Sequence, residues 1–359
     1  MRNGYRWSPN GKKIAYWQLD ASGVGEFYLI NNTDSLYPKI IPVQYPKAGT
    51  TNSACRVGVV SANGGETTWL QVPGNPRNNY ITRMEWAANS DEVLIQHLNR
   101  RQNRLEVLFG DAQTGAVKTA FVEQDSAWVE VVNDVKWLRE GREFTWVSER
   151  DGWRHVYRVS RKDGTLRLIT PGNFDIIQIA CVGEKQGWLY YIASPENAGQ
   201  RYLYRSRLSG KDAPQRLTPE QFKGTNSYQI SPNAKWAFHT YSTFETPPMV
   251  NLIRLPQHKV TKQLLKNEKL RRKIAALKRK PVRFFQVAIA DSVSLDAWEM
   301  QPYNFNPAKK YPVLFFIYGE PAGQTVLDRW RKNRYLWHLM LTQQEYIVMS
   351  VDNRGTPAP

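Results

Sequence analysis

With 359 residues, 41% of them hydrophobic, the chain is long enough for two domains and a substantial core. No stretch approaches the about 18 consecutive apolar residues of a membrane span, and the opening Met1-Arg-Asn-Gly-Tyr-Arg-Trp7 holds no apolar signal core. Forty-nine Lys/Arg against 32 Asp/Glu give a net charge of +17, while two distant cysteines, Cys55 and Cys181, exclude a disulfide framework and offer no zinc spacing.

Residues 1–258 read as short β-type runs separated by Gly, Asn, Asp and Pro turns. One phrase recurs: an aromatic, a turn, then an apolar strand. It is seen in Arg6-Trp-Ser-Pro-Asn-Gly-Lys-Lys-Ile-Ala-Tyr-Trp17, around Trp86, around Trp137, more weakly from Cys181 to Tyr191, and in Tyr228-Gln-Ile-Ser-Pro-Asn-Ala-Lys-Trp-Ala-Phe238. Between the copies lie strand–turn segments such as His155 to Gly164 and Tyr202 to Gly210. Trp86 to Trp137 is 51 residues and Trp137 to Cys181 is 44, a period that suits four-stranded β-propeller blades. About five blades fit, and an arc of a larger ring is expected rather than a closed ring of five. Blades must stack to bury their faces, and the 13 tryptophans suit the space between them.

Residues 259–281 carry ten Lys/Arg against Glu268 alone, nine of the seventeen net charges. Leu270, Ile274 and Leu277 recur at helical spacing, so the segment is expected to be one basic connecting helix with a single apolar stripe. A solvated helix outweighs a polyanion or membrane-surface site, and no nucleic-acid partner is expected. Beyond it, Phe284–Ile289 and Ser294–Met300 read as a hairpin turning at Asp291-Ser292. Pro312–Ile317 reads as a strand covered on both faces, Leu327–Gln344 as a helix and Tyr346–Val351 as a buried strand. That order is the entry to an α/β-hydrolase sheet.

Four stretches carry a family resemblance: Tyr5-Arg-Trp-Ser-Pro-Asn-Gly-Lys12, Ser148-Glu-Arg-Asp-Gly-Trp-Arg-His-Val-Tyr157, Tyr241-Ser-Thr-Phe-Glu-Thr-Pro-Pro248, and Lys309 to Trp330 with Val351-Asp-Asn-Arg-Gly355. Together the chain resembles the dipeptidyl peptidase IV branch of the prolyl oligopeptidase family of serine peptidases. The resemblance implies a mainly β chain: about five blades of an eight-bladed propeller over 1–258, a connector over 259–281, and the start of an α/β-hydrolase peptidase domain over 282–359. It implies release of N-terminal dipeptides with Pro or Ala in second position, peptide substrates with free N-termini, a homodimer, a periplasmic or secreted location, and no metal or organic cofactor.

The resemblance assigns one catalytic residue, Tyr318 in the Tyr-Gly-x-Pro turn, as the donor to the oxyanion. Glu320 departs from the family's Gly-Gly-Pro form. No Gly-x-Ser-x-Gly elbow occurs in the chain, and His338, the one histidine after Tyr318, lies inside a helical pattern beside Trp337 and Leu339. The chain is therefore expected to be a fragment that lacks the catalytic Ser, Asp and His, and the family's amine-binding glutamates, and to be inactive alone. The 148–155 stretch is expected to be a charged hairpin turn. His97, His155, His239 and His258 have no metal spacing and are expected on strand faces or loops. A non-catalytic propeller scaffold is the alternative function.

Overall fold

The computed structural model describes residues 4–290, 293–319 and 323–356. Five four-stranded sheets follow one another along the chain, so the fold is mainly β and of the expected propeller type. The first blade joins Tyr5–Trp7, Lys13–Asp20, Ala54–Ser61 and Thr68–Trp69. The second is Asn79–Trp86, Glu92–Asn99, Arg104–Asp111 and Val117–Gln124. The third is Trp137–Leu138, Glu143–Ser148, His155–Ser160 and Leu166–Leu168. The fourth is Ile176–Gly183, Trp188–Ala193, Tyr202–Arg207 and Gln215–Arg216. The fifth is Thr225–Ile230, Trp236–Ser242, Met249–Arg254 and Lys259–Leu265.

The recurring Ser-Pro-Asn phrase has a physical cause. In the first blade Ser8 Oγ donates to Asn10 Oδ1 (2.8 Å) and accepts the Lys13 N–H (2.9 Å), while Asn10 Oδ1 accepts the Lys12 N–H (3.0 Å). In the fifth, Ser231 Oγ donates to Asn233 Oδ1 (2.8 Å) and accepts the Trp236 N–H (3.1 Å), with Asn233 Oδ1 accepting from Lys235 (3.1 Å). The two side chains satisfy the turn's backbone donors and fix the hairpin between a blade's first two strands.

The chain divides into two compact units, residues 1–150 with 157–167 and residues 151–156 with 168–359. Within the first, Val57, Val59, Met84, Trp86, Ile95 and Leu108 join blades one and two, and Leu98, Leu105, Phe121, Phe144 and Trp146 join two and three. The Phe121 and Trp146 rings meet edge to face at 5.1 Å. Within the second, Trp188, Tyr190, Leu203, Tyr228 and Ile253 join blades four and five. Tryptophan thus fills inter-blade space at Trp86, Trp146 and Trp188, whereas Trp7, Trp128 and Trp236 are exposed.

One contact recurs between blades. Gly115, Gly164 and Gly210 all have positive φ, at 78°, 70° and 72°. A Cβ on Gly115 would strike the carbonyl oxygen of Trp69; on Gly164, that of Ala120; on Gly210, that of Leu168. Each glycine lies between the third and fourth strands of one blade and presses on the outer strand of the blade before it. Only glycine allows both the left-handed turn and the close approach.

Between the second and third strands of the first blade, Glu26–Asn31 and Lys39–Gln44 form a separate two-stranded hairpin. Tyr28, Ile30, Leu36, Tyr37 and Ile40 on it are all exposed.

The basic segment is not one helix. Lys259–Leu265 is the outer strand of the fifth blade, paired with Met249–Arg254, and only Glu268–Ala275 (α1) is helical. Pairing with the blade's third strand overrides the helical spacing, and of the expected stripe Ile274 alone is buried. The blade therefore extends past residue 258.

Arg283–Ala290 and Val293–Met300 pair as expected, their turn at Asp291-Ser292 lying outside the described residues. Val293–Met300 then pairs antiparallel with Ile347–Val351, which lies parallel to Val313–Phe315. The crossover helix α2 runs from Asn333 to Gln343, not from Leu327. Instead of a helical ladder, the Thr325 and Val326 N–H groups go to Asp352, that of Asp328 to Gly199 and that of Trp330 to Ser242, while Leu327 and Arg329 donate to the carbonyls two residues back. The apolar run 312–317 is not covered on both faces: Leu314 and Phe316 pack inward while Val313, Phe315 and Ile317 are 44, 59 and 66% exposed.

Gly164→Ala is expected to cost about 3 kcal/mol, left-handed strain plus the clash with Ala120. Gly11→Ala, at a φ of 70° with nothing within 4 Å, should cost only about 1–2 kcal/mol. Urea unfolding of the two variants measures the difference, and equal losses would contradict the inter-blade contact.

Candidate functional site

Tyr318 stands two residues beyond the point where the parallel pairing ends, the Phe316 N–H donating to Met349 O at 2.8 Å. It is 49% exposed, and its ring lies so close to Gly323 that a Cβ there would fall within it. Gly323 thus forms a bare floor beneath the phenol. Glu320 lies outside the described residues.

The loop after Gly323 is fastened on two sides. On one side is Asp352, the first residue beyond the strand Ile347–Val351. Its Oδ1 accepts the Thr325 N–H and the Thr325 hydroxyl, both at 2.7 Å, and its Oδ2 accepts the Val326 N–H at 3.0 Å. The Thr325 carbonyl accepts the Trp298 indole (3.2 Å) and Arg331 (2.8 Å). The bonds to Asp352 are buried, and baring the two N–H groups would cost about 1–3 kcal/mol each.

The other side is the propeller. Asp328 Oδ1 accepts the Phe244 N–H at 2.7 Å, and its Oδ2 accepts the Gln200 amide at 3.0 Å. Its N–H donates to Gly199 O (2.8 Å), and its carbonyl accepts Thr225 Oγ1 (2.9 Å). Burial raises the Asp328 pKa against these hydrogen bonds. Arg201 binds the Ala198 and Gln200 carbonyls, both at 2.6 Å, and the Gln324 side chain. Burial, then the neighbouring Arg329, lowers Arg201 to about 10; burial, Arg329 and Arg334 do the same to Arg331. The loop is held in a cationic setting. Phe244 packs on Trp298 (5.0 Å) and Tyr335 (5.8 Å), and Glu245 pairs with Arg279. A cavity of about 450 Å³ lined by Ser194, Glu196, Gln200, Gln286, Asp296 and Asp328 opens beside the loop, but Tyr318 does not line it.

The sequence singled out Tyr318 but not Gly323, Thr325, Asp328 or Asp352, which surround it or hold the loop beside it. All four lie in the stretches that carry the resemblance, and for Asp352 its place at a strand end was the available signal. His338 is buried in α2 between Trp298 (5.5 Å) and Phe316 (5.4 Å) and serves packing. The 148–155 stretch is a turn between strands, as expected: Ser148 and Arg150 bind Glu123 (3.0 and 2.6 Å), and Asp151 meets His155 Nδ1 at 2.9 Å. Among the described residues no group of three or more His, Cys, Asp or Glu could hold a metal.

Two histidines that the sequence left unrelated are neighbours in the fifth blade. The His239 and His258 rings lie 4.7 Å apart; His239 Nε2 meets Asn226 Oδ1 at 2.7 Å and His258 Nε2 meets Tyr228 Oη at 2.9 Å. Burial, then the nearby His258, lowers His239 from 6.5 to about 3, and burial lowers His258 to about 4. The unfolded chain binds protons near pH 6.5 where the fold does not, so their contribution is whole above that pH and is lost as pH falls towards 4. In that window His239→Gln should flatten the dependence of unfolding free energy by about 1.4 kcal/mol per pH unit. Urea melts at several pH values measure it, and an unchanged slope would contradict a neutral buried pair.

The sequence model of the "Dipeptidyl peptidase IV (DPP IV) N-terminal region" matches residues 1–248. The chain is 29% identical over 382 residues to a probable dipeptidyl-aminopeptidase B of Coccidioides posadasii, covering 98% of this chain and 40% of that protein. It is 25% identical over 366 residues to dipeptidyl peptidase 4 of Trichophyton rubrum, covering 98% and 47%. The crystal structure of Porphyromonas gingivalis dipeptidyl peptidase 4 superposes with a TM-score of 0.87 at 28% identity, over 99% of this chain and 50% of that one. The chain therefore spans half or less of the length of these relatives. Its fold and the match over residues 1–248 make it a member of the dipeptidyl peptidase IV family.

Proposed function

We propose that this chain supplies propeller blades and the oxyanion-donor turn of a serine exopeptidase that releases dipeptides, with Pro or Ala in second position, from free peptide N-termini. The relatives' names, dipeptidyl peptidase and dipeptidyl-aminopeptidase, support the reaction class. The observation that carries the residue assignment is Tyr318 itself: half exposed at the end of a sheet strand, its ring seated on Gly323, next to a loop that Asp352 and Asp328 hold.

In this reading a serine hydroxyl attacks the peptide carbonyl, and the carbonyl oxygen becomes an oxyanion. The Tyr318 O–H donates to that oxygen, and the bond strengthens as charge develops. The amine leaves, and water attacks the acyl-enzyme through a second tetrahedral intermediate at the same donor. The propeller over 1–258, extended to Leu265 by its outer strand, admits short or unstructured chain ends. The connector continues to 281 and the peptidase domain begins at 282. Pairing of two copies belongs to the same reading.

In a protein where this chain continues into a Gly-x-Ser-x-Gly elbow, Tyr318→Phe should lower kcat on a Gly-Pro-linked chromophore by about 10²–10³, with KM and melting temperature little changed. An unaltered kcat would overturn the assignment.

A further inference from the structure

The basic segment 259–281 was expected to be a solvated helix, but its actual fold gives it a different surface. Three of its ten cations have structural partners outside the segment: Arg279 pairs with Glu245, Lys280 lies over the Phe305 ring at 5.0 Å, and Arg271 Nη1 reaches Met249 Sδ at 3.6 Å. Glu268 is shared by Lys266 and Arg272, both at 3.6 Å. Among the described residues, Lys259, Lys262, Lys269, Arg271, Lys273 and Lys278 are exposed with no carboxylate within ion-pair distance. Exposed aliphatic side chains are interleaved with them. Val260, Leu264, Leu265, Leu270 and Leu277 are 36–44% exposed, although a solvated connector has no use for them.

The outer strand of the fifth blade presents all seven of its residues to solvent, and α1 continues the surface with Lys269, Leu270 and Lys273. A soluble polyanion would use the lysines and leave the leucines in water. A bilayer of anionic lipid satisfies both, its headgroups meeting the ammonium groups and its acyl boundary receiving the aliphatic chains. We propose that the surface formed by residues 259–278 is a contact site for an anionic lipid membrane.

The exposed hairpin of the first blade is also apolar but carries few charges, with Glu26, Asp34 and Lys39 among its residues. It gives no preference for anionic lipid, which makes charge dependence the discriminating readout.

The test is co-sedimentation of the chain with vesicles of phosphatidylglycerol and phosphatidylcholine, beside vesicles of phosphatidylcholine alone. Binding should need the anionic lipid and weaken as salt rises from about 0.05 M to about 0.5 M. Lys262→Glu with Lys269→Glu and Lys273→Glu should reduce it more than about a hundredfold, each lysine being worth about fivefold at such a surface. Leu264→Ser with Leu277→Ser should weaken vesicle binding severalfold while leaving retention on heparin unchanged. Reversal of the exposed Lys12, Lys118 and Lys211 should change little, and since every substituted side chain is exposed, unchanged melting temperatures verify the fold. Equal binding to both vesicle types, equal loss from the control reversals, or leucine variants that bind vesicles normally would each overturn the proposal. The last result would leave a polyanion surface instead.

Discussion

The arrangement around Tyr318 depends on two carboxylates, the buried Asp352 and the half-buried Asp328, that hold one loop to two different neighbours. Asp352 takes the Thr325 and Val326 donors and ties the loop to the hydrolase-type sheet, while Asp328 ties it to the fourth and fifth blades. Each carboxylate meets N–H or O–H donors rather than a single counter-ion. That suits buried groups, since several directed hydrogen bonds offset desolvation and fix geometry together. The loop begins at Gly323, whose missing side chain leaves room for the Tyr318 ring. In the proposed role, a donor seated in this way would need little reorganisation when charge appears on a substrate, which is the condition for electrostatic preorganisation.

The propeller part works by a different constraint. Neighbouring blades approach until the turn glycine of one touches the outer-strand carbonyl of the previous one, at Gly115, Gly164 and Gly210. The aromatic and aliphatic clusters then fill the space that this spacing leaves. The close backbone contact sets the distance, and burial of side chains such as Trp146 and Phe144 supplies the driving force. Because Asp328 is held by residues of blades four and five, the geometry of those blades is transmitted to the loop that follows Tyr318.

Much of this was legible in the sequence. The Ser-Pro-Asn phrase repeats because the same side-chain-capped turn repeats, so period and composition revealed the blades. The Tyr241–Pro248 motif reads physically once Ser242 and Phe244 are seen to grip Trp330 and Asp328, and Glu245 to pair with Arg279. Other features were not legible because they depend on long-range pairing. Helical spacing at Leu270, Ile274 and Leu277 said nothing of a blade strand awaiting a partner at Lys259–Leu265. The run from Leu327 to Asn333 looked helical, but the Asp328 and Trp330 N–H groups find partners in Gly199 and Ser242 instead. Nor could spacing reveal that His239 and His258, 19 residues apart, share one buried site.

The most direct test of the account is a crystal structure of a protein containing this chain and its nucleophile, inhibited by a phosphonate that mimics the tetrahedral intermediate. The phenol of Tyr318 is expected at about 2.5–3.0 Å from the phosphonyl oxygen, with Thr325 still bound to Asp352. A phenol turned away from that oxygen, or a loop released from Asp352 to reach it, would contradict a donor held in place before the reaction begins.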